Sequence, residues 1–137
     1  MNTLYAIVIR YFLVMLLLLL ITGVWMLLLH TSFSLESITN YYVKKSLLGN
    51  LEVITPHLFA MGTVVFTLTH FLALKCLNSS FESKVSLALF GVMLLSNLTP
   101  LGINETMAWL VWVKIGSTLL FLVLSLVIMV QVFFRTR

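Results

Sequence analysis

Four uninterrupted apolar stretches, at residues 11–29, 56–74, 85–103 and 106–134, make up most of the chain, and Lys114 is the one Lys, Arg, Asp or Glu inside them. A helix of about 20 apolar residues crosses the ~30 Å of hydrocarbon in a bilayer. Lipid offers no partner to free backbone groups, so a spanning segment is a helix or part of a closed barrel. These stretches are continuously apolar rather than alternating, which selects helices. The expected fold is all-α: a four-transmembrane-helix antiparallel bundle, a single integral membrane domain over residues 1–137, with spans at about 11–29, 56–74, 85–103 and 108–134. With 61% hydrophobic and 9% charged residues and a mean hydropathy of +1.15, no segment is left over for a soluble domain.

The one long connection lies between the first two spans. Leu35, Ile38, Tyr42 and Leu47 recur there at roughly helical spacing, with Ser34 placed to cap the start and Gly49 to mark the stop. This predicts a short amphipathic interfacial helix between helices 1 and 2, with the rings of Tyr41 and Tyr42 at headgroup depth. Thr55 and Pro56 read as the cap and first turn of the second span, and Pro100 kinks or ends the third.

The net charge of +4 flanks the helices instead of forming a basic cluster, which speaks for topology and against nucleic acid. With the N-terminus inside, Arg10, Lys75, Lys84, Arg135 and Arg137 face the cytoplasm and Lys44, Lys45 and Lys114 the outer side. That bias places both termini in the cytoplasm. The residues after the first span give no small-x-small cleavage site, so this span is expected to be retained. Cys76 is the sole cysteine, which excludes an internal disulfide and a four-Cys metal centre.

Neither a phosphate-binding glycine loop, a nucleophile elbow nor a zinc-protease motif occurs. All four acids are Glu in loops or at helix ends, so no span carries the paired carboxylates of a cation-coupled exporter. The chain is therefore not expected to be an enzyme on its own.

Three histidines carry what chemistry is available. His30 closes the first span and His57 opens the second, on the same outer side. Imidazoles there could hold a metal, or clamp one haem b beneath the tyrosine-bearing helix. Met26 lies one turn before His30 and Met61 one turn after His57, so His–Met ligation or copper is an alternative, as is simple placement of both imidazoles at the water interface. His70 lies thirteen residues beyond His57, about 140° around the helix, the wrong side for a shared seam. With no fourth histidine, a four-His di-haem cytochrome is disfavoured. His70 is expected to face the bundle and bond to Thr67, Ser86, Gln131 or a carbonyl, the alternatives being a second haem ligand, a quinone contact or a proton relay. Asn97 needs a partner on another helix or among the carbonyls that Pro100 frees. Lys114 is expected to snorkel at the interface, the alternative being an anion or quinone-oxygen contact aided by Trp109 and Trp112.

The stretch carrying Tyr41-Tyr42, Leu51-Glu52, Pro56-His57-Leu58-Phe59, Met61-Gly62 and His70-Phe71-Leu72 resembles small uncharacterised four-helix membrane proteins of bacteria, from anaerobic and sulfur- or hydrogen-metabolising lineages. Members often carry a further histidine where this chain has Thr55, a departure that tells against a metal site at this end. The resemblance implies a bacterial inner-membrane setting and directs attention to His57. Two functions are then expected to compete. One is a membrane protein of a respiratory or redox system that binds one haem b or quinone near the outer face. The other is a non-catalytic accessory or assembly subunit, in contact with other membrane subunits or further copies of itself through small-residue faces at Gly23 or Gly62.

Overall fold

The computed structural model describes residues 3–31, 35–73 and 79–135. They form five helices: α1 (Thr3–Thr31), α2 (Leu35–Val43), α3 (Leu47–Ala73), α4 (Ser79–Leu98) and α5 (Leu110–Arg135). Two single 3₁₀ turns, Thr99–Leu101 and Glu105–Met107, join α4 to α5. The expected all-α bundle is the one observed. Four segments are long and apolar enough to cross a membrane: Leu4–Met26, Leu47–Ala73, Ser83–Leu101 and Leu110–Phe134. Ser34 and Cys76 lie outside the described residues.

Capping chemistry sets several boundaries. Ser46 starts α3: its Oγ accepts from Gly49 N at 3.1 Å and its carbonyl from Asn50 N at 2.9 Å. Gly49 is therefore in the first turn of α3 rather than a stop, and Pro56 lies well inside the helix. The proline is tolerated because the carbonyl it deprives of a donor, four residues earlier, belongs to exposed Glu52, where water replaces the lost bond. At 1.5 Å per residue α3 is about 40 Å long and stands above the hydrocarbon at its first turns. α4 ends where Pro100 takes the first positions of a 3₁₀ turn, which Gly102 N closes onto Thr99 O at 3.0 Å. Asn104 then starts the next turn, its side chain accepting from Thr106 N at 3.1 Å and Met107 N at 2.9 Å. A Cβ at Gly102 would meet Leu110 Cδ1 at 3.1 Å, so a bare backbone lets α5 begin directly over the turn.

α3, α4 and α5 pack against one another, and α1 lies against α5. Leu68, Leu72, Leu89, Phe121, Ile128 and Val132 lie at the centre of the core. α2 bridges α1 and α5. The end carrying α2 and the α4–α5 turn is the capped end; the opposite, basal end is tied by Arg10 of α1, whose guanidinium lies 6.0 Å from the centre of the Phe133 ring of α5.

α1 closes on the bundle over half its length. Ile9, Leu13 and Leu16 are buried, and the ring of Phe12 meets Phe71 of α3 edge-on at 5.5 Å. Gly23 and Val24 continue that buried line toward the capped end, yet residues 21–26 are all exposed. A Cβ placed on Gly23 would have nothing within 4 Å. The basal half of α1 is packed through Ile9, Leu13 and Leu16, and residues 21–26 beyond it are exposed.

Candidate functional site

The polar chemistry of the molecule gathers at the capped end, where it takes two forms. The first is a closed hydrogen-bonded knot between α4 and α5. Pro100 has no N–H, so the carbonyl of Ser96, four residues earlier, loses its helical donor. Lys114 of α5 supplies the replacement. Its Nζ donates to Ser96 O at 2.6 Å and lies 3.1 Å from Ser96 Oγ. Ser96 Oγ shares a further bond with Thr118 Oγ1 at 2.9 Å, and Thr118 donates back to Lys114 O at 2.8 Å. The ammonium also sits at the negative end of the α4 dipole, which favours a cation. Lys114 therefore turns inward to cap a helix, where the length of the span had suggested snorkelling. Trp112, two residues away, is about 200° around the helix and exposed, so the two do not meet over one ligand.

Two amides complete the knot. Asn50 of α3, buried, donates to Pro100 O at 3.2 Å. Asn97, also buried, donates to Met93 O at 2.9 Å and contacts Met61 Sδ at 3.2 Å. The partner that Asn97 requires is thus both a carbonyl of its own helix and a neighbouring span. The same contact occupies the sulfur of Met61, a candidate iron or copper ligand.

The second form is an exposed strip of α3 around His57. At 100° per residue His57 lies within about 40° of Asn50, Met61 and Val64, the core side of α3. Asn50 and Val64 are buried and Met61 is half-buried, but His57 is exposed. Val53 and Ala60, on the adjoining strip, are exposed too, whereas Val64 and Phe71 lower on the same side are covered. His57 Nδ1 is 2.9 Å from Val53 O. A carbonyl can only accept, so Nδ1 carries the proton, and in the neutral ring Nε2 is left with its lone pair.

The remaining candidates lie apart. His70 does not face the bundle: it is exposed, stacked on Phe66 with ring centres 6.3 Å apart. It shares the outward ridge of Phe59 and Phe66, four residues beyond the latter, and the apolar core packs behind the opposite side of the helix. Met26 is exposed on α1. The backbone of His30 belongs to α1, but its side chain lies outside the described set. Among the described residues no three His, Cys, Asp or Glu side chains come together as a metal site. Tyr41 and Tyr42 meet edge-on at 5.2 Å, and Lys45 donates to Tyr41 Oη at 3.0 Å. Burial, followed by the charge of Tyr41, raises the Tyr42 phenol above its ordinary value.

The capping role of Lys114 was missed from the sequence, although its signal was present: a lysine in a span, paired with a proline near the end of the preceding one. Asn50 was missed because it sits at the start of a helix that was expected to begin later.

No curated protein and no solved structure is similar enough to match the chain. A family model does match, over residues 32–137, which takes in α2 to α5 and leaves out α1. By that match the chain belongs to the Aq_1264_TM family, a transmembrane helical domain.

Proposed function

We propose that this integral membrane protein serves a respiratory or redox system by binding one haem b or a quinone near the outer face, beside His57. The observation that carries this reading is His57: an imidazole on the core side of a spanning helix, left uncovered, with one nitrogen tied to Val53 O. An ionisable residue at membrane depth points to function by default, and a backbone bond to the second ring nitrogen is the usual support of a histidine that accepts at the first. His30 would be the second ligand if haem is bound. The setting that accompanies this reading is a bacterial inner membrane with both termini cytoplasmic, supported by the distribution of Lys and Arg.

The test is an absorption spectrum of the detergent-purified protein, oxidised and then dithionite-reduced, together with solvent extraction of bound quinone. Sharp reduced α and β bands, or co-purified quinone, lost on His57→Ala supports the reading. A featureless spectrum and a quinone-free extract, after expression with haem and quinone abundant, rejects it.

A second reading has its own observation. An open groove of about 230 Å³ runs between the outer faces of α3 and α4, lined by Gly62, Val65, Phe66, Thr69, Ser86 and Phe90. Small residues and hydroxyls facing outward are the composition of a helix–helix contact in lipid. This favours a non-catalytic accessory or assembly subunit that docks on a larger membrane complex or on a further copy. Gly62→Leu fills the groove; an unchanged mass of the native particle extracted in mild detergent would reject this second reading.

A further inference from the structure

We propose that the groove between α3 and α4 holds one chain of a membrane phospholipid, with the ester carbonyl of that chain accepting from Ser86 Oγ. This is independent of the redox reading and gives the groove an occupant other than a partner helix.

The shape of the groove selects a thin occupant. Val65, almost fully buried, is its floor, and the exposed rings of Phe66 and Phe90 line its sides. Gly62 adds no side chain, and a Cβ placed there would have nothing within 4 Å. From Gly62 to Thr69 the groove runs about 10 Å along α3, at 1.5 Å per residue. A volume of about 230 Å³ over that length makes it about 5 Å wide. An α-helix with its side chains is about 10–12 Å across and stays outside. A single hydrocarbon chain, whose carbons meet their neighbours at about 4 Å, fits between the rings.

Depth and polarity select a lipid. Both helices are long and apolar enough to cross the membrane, so hydrocarbon meets the outward side of their seam. Toward the capped end the seam is closed by Asn97 Nδ2, which donates to Met61 Sδ at 3.2 Å. Gly62, where the groove begins, lies about 16 Å from the end of α3 at Ala73, roughly half the hydrocarbon thickness. The hydroxyls lie at the basal end. Thr69 is about 6 Å from Ala73, and Ser86 about 5 Å from Ser83, where the span of α4 begins. A groove that is apolar at mid-bilayer and hydroxyl-lined near its edge repeats the order of a phospholipid, chain inward and ester at the boundary. The Thr69 hydroxyl donates to Phe66 O at 3.0 Å. Ser86 Oγ makes no hydrogen bond to another described residue, so its proton is available to a carbonyl.

The protein is purified in mild detergent and weighed by native mass spectrometry. One phospholipid per chain is expected to remain, and Gly62→Leu, at a position open enough for the side chain, should remove it. Delipidated protein is then titrated with dioleoyl phosphatidylcholine and with its dialkyl ether analogue, which lacks the carbonyls. The diester is expected to bind about fivefold tighter, the value of one hydrogen bond. Ser86→Ala should erase that difference while both lipids still bind. Retention unchanged by Gly62→Leu, or equal affinities for diester and diether in the unmodified protein, overturns the proposal. A Gly62→Leu particle that changes in protein mass but keeps its lipid gives the groove to a partner helix, which overturns the proposal and leaves the accessory reading standing. Loss of the lipid at unchanged protein mass supports the proposal and removes the accessory reading.

Discussion

The two halves of the bundle are built on opposite principles. In the basal half, Leu68, Leu72, Leu89, Ile128 and Val132 pack in an aliphatic core that α1 closes through Ile9, Leu13 and Phe12. In the capped half, neighbouring elements are joined by named hydrogen bonds: Lys114 to Ser96, Asn50 to Pro100 and Asn97 to Met61 Sδ. There α1 no longer covers the bundle. Lipid tails are as apolar as leucine, so helices in a bilayer associate through close packing and polar bonds rather than through the hydrophobic effect. The basal half uses the first means and the capped half the second. His57, on the core side of α3, is exposed in this capped half.

That contrast can be broken in order of expected effect. Lys114→Leu should be the most damaging, costing about 3 kcal/mol, because it strands the Ser96 carbonyl inside a helix pair. The same change in a Pro100→Ala background should cost about 1 kcal/mol, since the restored N–H at position 100 then serves Ser96. Equilibrium unfolding in mixed micelles, followed by helical circular dichroism, measures both; equal costs in the two backgrounds would dispose of the capping account. Leu68→Ala, at a fully buried position, should cost about 2 kcal/mol through the cavity it leaves, at the low end of the usual range because no transfer from water is involved. Asn50→Ala removes the bond to Pro100 O and should cost about 1 kcal/mol in the same assay. Val24→Ala sharpens the comparison from the other side. It lies on the inward line of α1 but above the point of closure, and its effect should stay below about 0.5 kcal/mol. A loss approaching that of Leu68→Ala would mean that α1 packs along its whole length.

Fold and site were not equally legible in the sequence. The four spans follow from composition alone, since an apolar run of that length with at most one charge has few alternatives. The amphipathic α2 was legible from spacing and the end of α4 from Pro100. The start of α3 was not: Thr55-Pro56 is a good local start signal, but Ser46 caps the helix nine residues earlier. The winning signal is a serine whose importance depends on how far the helix stands above the membrane. Histidine positions were legible and histidine directions were not. His70 turns outward, and His57 lies on the core side of α3 yet is exposed. No periodicity within α3 encodes the course of a different helix. The role of Lys114 was hidden for a similar reason: its meaning lies in a carbonyl eighteen residues away that a proline has left without a donor.

The bond between Lys114 and Ser96 also constrains how the chain enters its membrane. Before α5 meets α4, Lys114 is a bare charge on an apolar segment, and Pro100 leaves a bare carbonyl near the end of the preceding one. Each penalises insertion of its own helix, by up to about 3 kcal/mol for a lysine at mid-bilayer and less near the surface. Presented together as a hairpin, the two defects cancel. The lysine thereby lowers the cost of burying α4 and α5 together relative to burying either alone.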